Sequence, residues 1–177
     1  MSLEIKGLQA VQDSLERYRL SQKNANKIGN RLANIAADEI RQAHSGVQAH
    51  DHFLPRNKFE SEYKRPVTSD IKIKVQSIGS EHTVTATGEN FLFFEFGAGV
   101  KHNSPRSWEN VLAIPTPLGI EDIGGYGLGK GKQQSWIYSK NGMAFRTGGY
   151  KAVHGFANAI NAIYFNIDDV IKEVSNG

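Results

Sequence analysis

The chain has no cysteine. That excludes disulfide staples, Cys-ligated zinc and thiol nucleophiles, and it fits a reducing compartment. It also lacks any apolar run near the ~18 residues needed to cross a bilayer, so no membrane role is expected. The N-terminus has no basic stretch followed by an apolar one, so no secretory signal is expected. No serine stands in a Gly-x-Ser-x-Gly context. The neighbouring carboxylates Asp38 and Glu39, Glu60 and Glu62, and Glu121 and Asp122 do not fall at a strand end beside a base. The expectation is therefore a protein without catalytic residues, cofactor or metal. A large charge excess is missing too: the net charge of +3 does not by itself indicate nucleic-acid binding.

What is present is an ordinary globular composition. With 177 residues, 39% of them apolar, the chain suits a single domain spanning residues 1–177 with a core of its own. Charge is unevenly placed. Between Ile123 and Phe165 there are five cations (Lys130, Lys132, Lys140, Arg146, Lys151) and no acid, whereas Asp168, Asp169 and Glu173 follow with Lys172 alone against them. Such asymmetry suits a basic surface facing phosphate or an acidic neighbour.

In chain order, Ser2–Lys6 alternates as a short strand. Leu8, Val11, Leu15 and Tyr18, then Ile28, Leu32, Ile35, Ile40 and Ala43, recur at helical steps, giving one long N-terminal helical segment or two helices joined near Asn24. Gly29, Ala33, Ala36 and Ala37 mark a close packing contact. Residues 47–66 show no clean period and suggest a long loop. Ile71, Ile73 and Val75 alternate with Lys72, Lys74 and Gln76, and a second strand over His82–Thr87 follows the Gly79-Ser80 turn.

The most aromatic run, Phe91-Leu92-Phe93-Phe94-Glu95-Phe96, ends in Gly97-Ala98-Gly99. Its length, its aromatics and the closing glycines predict a third, buried strand of an antiparallel meander. Glu95 then sits at the strand end, either solvated or paired with a neighbouring chain or with Lys101 and His102. Residues 100–134 suggest a second extended loop. Trp136–Tyr138 and Met143–Arg146 flank Asn141-Gly142, a strong hairpin turn. Phe156, Ile160, Ile163, Ile167, Ile171 and Val174 predict a C-terminal helix over Ala152–Val174. The fold class expected is α+β: an antiparallel sheet packed against a long N-terminal helical segment and a C-terminal helix, with long loops around 47–66 and 100–134.

Three motifs invite chemistry. Gly124-Gly125-Tyr126-Gly127-Leu128-Gly129-Lys130-Gly131 approaches a phosphate-binding loop but has Gly131 where a Ser or Thr would meet magnesium. His44, His50, Asp51 and His52 contain a His-x-His pair, which needs a further fixed ligand to hold a metal. The basic hairpin 130–151 interleaves Trp136, Tyr138, Phe145 and Tyr150 with its cations, a pattern that suits nucleic acid as well as a hairpin with a buried inner face.

The order of these segments resembles the tail-component family of long-tailed bacteriophages, the tail-completion or head–tail joining (neck) proteins. Glu95, Phe96, Gly97, Ala98 and Gly99 match the family's aromatic segment ending Glu-Phe/Tyr-Gly-Thr/Ala-Gly. His154, Gly155 and Phe156 match the segment that opens its last helix, with Gly155 where proline is usual. Pro66-Val67-Thr68-Ser69-Asp70 departs from the family's Pro-Val-Asp-Thr-Gly. The resemblance implies a virion structural protein, made in the host bacterial cytoplasm. It implies a homo-oligomeric ring, a hexamer, bound to tail-tube and head-connector proteins, with DNA in passing contact. It also marks Glu95, Phe96, Gly97, Gly99, His154 and Phe156 as motif and interface positions. The alternative expectation is a nucleic-acid-binding protein using hairpin 130–151.

Overall fold

In a computed structural model the fold is α+β. The structure describes residues 2–5, 22–99 and 134–176. The predicted helical positions from Leu8 to Tyr18, the loop 100–133 and the glycine run 124–131 lie outside the described residues.

The described elements are β1 (Ser2–Ile5), α1 (Gln22–His44), β2 (Gln48–Leu54), β3 (Lys64–Thr68), β4 (Lys72–Ile78), β5 (Glu81–Thr87), α2 (Phe91–Phe96), β6 (Trp136–Lys140), β7 (Met143–Thr147) and α3 (Gly155–Asn176). They form two antiparallel sheets, ordered β1-β5-β4 and β3-β2-β7-β6.

The first core lies where α1 packs on α3 and on the faces of β4 and β5. Ile28, Leu32, Ala36 and Ile40 of α1 meet Phe156, Ile160, Ile163 and Ile171 of α3, with Val84 and Ala86 of β5 beneath. The small residues of α1 work as the sequence suggests. A Cβ at Gly29 would run into the His82 ring of β5, which explains a mid-helix glycine despite its cost of about 1 kcal/mol against alanine. The second core gathers Val67, Phe94, Ala98 and Tyr150, with Phe93 and Trp136 at its edge. Beyond it Tyr138, Phe145, Phe53 and Tyr63 form a chain of ring contacts, and the Arg65 guanidinium lies 5.3 Å from the Phe145 ring centre.

Two expectations are corrected. The aromatic run is a helix, α2, rather than a third meander strand. It is buried on nearly every side: Phe91 and Phe96 enter the first core, Phe94 the second. A segment surrounded by protein is apolar all round, and such a short run carries no period that separates strand from helix. The strand next to β5 is instead β1.

The second correction concerns residues 47–66, read as a loop. They contain β2 and the start of β3, joined through residues 55–63. Asp51 is buried where alternation calls for an apolar residue, and Pro66 stands on β3, an edge strand. Proline is tolerated there because no sheet hydrogen bond is needed on the open side. The β6–β7 hairpin forms as expected, with Asn141 at φ 53° and Gly142 at φ 74°, the two positive values of a type I′ turn. The last helix also forms, over Gly155–Asn176.

Candidate functional site

Two buried carboxylates organise the polar chemistry. The first is Glu95 on α2, fully buried. Its Oε2 accepts the Gly155 N–H at 2.8 Å and its Oε1 accepts the Phe156 N–H at 2.9 Å. These are backbone donors of the first turn of α3, which no carbonyl of that helix can satisfy. The negative charge also suits the positive end of the helix dipole. His44, at the end of α1 and 2% exposed, places Nε2 2.9 Å from Glu95 Oε2. A carboxylate only accepts, so His44 Nε2–H donates. In the neutral ring Nδ1 then accepts the Ser69 hydroxyl. A Cβ on Gly155 would lie 3.0 Å from His44 Cδ2 and 3.1 Å from Glu95 Oε2; the glycine leaves room for the joint.

The flanking backbone tightens the same contact. Val153 N–H donates to Phe94 C=O at 2.8 Å, and His154 N–H to Glu95 C=O at 3.3 Å. Ala98 and Tyr150 exchange two backbone hydrogen bonds, each 2.9 Å. Ala98 reaches that position between Gly97 at φ 73° and Gly99 at φ 88°, a backbone region that favours glycine. Of the motif residues, Glu95 is thus bound to His154, Gly155 and Phe156, some 60 positions away; Phe96 shares a core with Phe156, while the Gly97–Gly99 turn meets Tyr150 through Ala98. His154 holds φ 56°, and burial lowers its imidazole pKa, against the pull of the Glu95 charge. Its Nδ1 is buried without a hydrogen-bond partner.

The expectation that Glu95 is a solvated strand end, or a partner of another chain, is corrected: its partners lie within the chain. Ser69, His44 and Glu95 share the connectivity of a nucleophile–base–carboxylate relay. In such relays the Nε2 of the ring faces the nucleophile; here Nδ1 faces Ser69 and both carboxylate oxygens are committed to a helix start. Neither Ser69 nor His44 lines the cavity described next.

The second carboxylate is Asp51 on β2, 1% exposed. Tyr138 and Tyr150 both donate their hydroxyls to its Oδ2, each at 2.7 Å. Arg65 donates to the Tyr138 oxygen at 2.6 Å. Burial, then the hydrogen bond and charge of Asp51, push Tyr138 up to about 12; the same causes raise Tyr150 further. These tyrosines form one wall of a cavity of about 330 Å³ between α2 and the β6 edge. Phe93 and Trp136 supply apolar wall, and Arg65 and Lys140 bring cations. Lys140 donates to Glu89 on the same rim, which holds the Glu89 carboxyl below its usual range.

The remaining sequence candidates separate. His50 is exposed on β2, and His52 Nδ1 lies 3.2 Å from Glu62 Oε1, while His44 faces Glu95. Among the described residues no group of three or more His, Asp or Glu side chains is placed to hold a metal ion. In the basic hairpin Lys140 is paired with Glu89, and Arg146 lies 3.6 Å from Glu62; Lys130 and Lys132 lie outside the described residues. Sequence reasoning named Asp51 only beside the histidines as a possible metal ligand, and missed its tyrosine partners and the cavity. The available signal was a carboxylate at an inward position between Ala49 and Phe53. No helix among the described residues is long and apolar enough to cross a membrane. No family model matches the chain, and no match was found among curated proteins or solved structures.

Proposed function

We propose that this chain is a structural virion protein of a long-tailed phage or prophage, a tail-completion or neck component. It assembles into a ring, a hexamer, that joins the tail tube to the head connector, with DNA passing through. Its work is binding, without catalysis or cofactor. The observation that carries the reading is the joint at Glu95. The two segments on which the resemblance rests meet through Glu95, which binds His154, Gly155 and Phe156 directly. Residues that belong to one structural motif are expected to meet in this way. The chemistry of the joint fits as well: its carboxylate and imidazole hold helices together, as a scaffold requires.

The nucleic-acid reading has weaker support. Lys140 and Arg146 of the basic hairpin already face Glu89 and Glu62, and cations paired with acids add less to phosphate binding. The test is genetic and structural. Deleting the gene from its phage should leave heads and tails that do not join, and supplying the protein in trans should restore joined particles. Normal particles without the protein would overturn the proposal.

A further inference from the structure

The edge of a sheet presents unpaired backbone N–H and C=O groups, and folded proteins guard such edges with charges or proline. Among the described residues, β3, β4 and β6 each pair on one side only. The β3 edge carries Lys64, Arg65 and Pro66, and β4 carries Lys72 and Lys74. Along Trp136-Ile137-Tyr138-Ser139, β6 has neither device; its one charge, Lys140, stands at the turn. The two-residue turn at Asn141-Gly142 makes Lys140 and Met143 a hydrogen-bonded pair of the β6–β7 ladder. Hydrogen-bonded and non-hydrogen-bonded pairs alternate from there. Trp136 and Tyr138 therefore bond to β7, and the N–H and C=O groups of Ile137 and Ser139 point to the open side.

The same edge borders the cavity. Trp136, Tyr138 and Lys140 share the cavity face of β6; Ser139 alternates to the other face yet also lines the cavity, which therefore reaches round to the β6 main chain. The charges there are already balanced. Lys140 is paired with Glu89, and Arg65 and Asp51 meet through the Tyr138 hydroxyl. A charged guest would find no unpaired counter-charge. The apolar wall of Phe93 and Trp136 encloses about 330 Å³, a space that suits one uncharged aromatic side chain. On the opposite face Ile137 is 64% exposed, and a strand laid beside β6 would cover it.

We infer that β6 is a docking edge for an extended segment of a partner protein, an uncharged strand that carries an aromatic side chain. Its backbone pairs with Ile137 and Ser139, and the residue opposite Tyr138 places its ring in the cavity. Main-chain bonds then supply affinity and the side-chain pocket supplies selectivity. A second copy is a poorer guest. Antiparallel β6–β6 pairing through Ile137 and Ser139 sets Tyr138 opposite Tyr138, whose hydroxyl is already held by Asp51. The inference goes beyond the ring reading and does not depend on it.

The test uses the purified full chain and amide hydrogen exchange read by NMR. The probes are capped pentapeptides of threonine with Phe, Tyr or Trp at the centre. In the free chain the Ile137 and Ser139 amides should exchange readily, and an aromatic peptide should slow both about 10-fold or more. A central alanine should weaken binding about 10-fold, as loss of an anchor does. N-methylating the two residues that flank the centre should abolish binding. Ile137→Pro should do the same, because it removes an outward N–H and spares the β7 ladder; the methylated peptide serves if that variant does not fold. Protection of Ile137 and Ser139 in the monomeric free chain would overturn the inference, because the chain would cover its own edge. Protection that rises with protein concentration would assign the edge to a second copy instead. Equal binding of the alanine peptide, or no protection by any aromatic peptide at millimolar concentration, would also overturn it. None of these results bears on the head–tail joining assay above, so the two readings fail separately.

Discussion

Glu95 and Asp51 are both fully or almost fully buried, yet they do different work. Glu95 spends its two oxygens on backbone donors and an imidazole, tying α1, α2 and the start of α3 together. Asp51 binds two tyrosine hydroxyls that face a cavity. The first partners are fixed by the main chain; the second are side chains at the border of open space. A buried charge that binds backbone is a structural bolt, whereas one that binds side chains beside a cavity shapes a surface. Substitutions at the two sites should therefore separate stability from surface properties.

The largest effect is expected at Glu95. Glu95→Ala leaves His44 and two helix donors without their partner, and breaking such a buried pair costs about 3–5 kcal/mol. Urea unfolding should show it as a lower midpoint at unchanged slope, with Glu95→Gln in between. A loss below about 1 kcal/mol would mean the joint is dispensable. Asp51→Asn should cost less, about 1.5–3 kcal/mol, the range for hydrogen bonds to a charged group. It should also bring Tyr138 back toward 10, which ultraviolet titration of tyrosinate reads. If Glu95→Ala moved that titration and Asp51→Asn did not, the division between the sites would be wrong.

Much of this arrangement was legible in the sequence. The period-three-and-four stripes gave α1 and α3, strict alternation gave β4, and Asn141-Gly142 gave the β6–β7 turn. The small residues around Gly29 correctly marked a close contact. The failures share one cause: burial on all sides, or burial of a polar group, erases the pattern that sequence reading depends on. Apart from Glu95, Phe91–Phe96 is apolar all round because protein surrounds it, so helix and strand looked alike. In β2 the inward positions are Ala49, Asp51 and Phe53, and the carboxylate interrupts the alternation that would have revealed the strand. The partners of Glu95 and Asp51 come from distant segments, and no local spacing encodes them.

Two smaller effects follow from pH. Tyr138 is held protonated, up to about 12, against an ordinary value near 10. The folded state then binds a proton that the unfolded state has lost, so this contribution is complete below pH 10 and disappears as the pH rises through about 12. Thermal melts across that window should show a decline that Tyr138→Phe reduces. On the acid side the sign reverses. Burial lowers the pKa of His154 below 6.5, so the unfolded chain binds the proton first, and stability falls as the pH drops through 6.5 and below. Asn tolerates the left-handed backbone at this position. His154→Asn should therefore lessen the acid-side decline in melting temperature slightly, and an unchanged profile would remove His154 from it.

The ring itself is tested most directly by electron microscopy of the purified protein over a range of concentrations, alone and with tail-tube protein. The expected result is closed rings of six subunits, which seat on one end of the tube. A chain that remains monomeric throughout and never engages the tube would contradict the role proposed here.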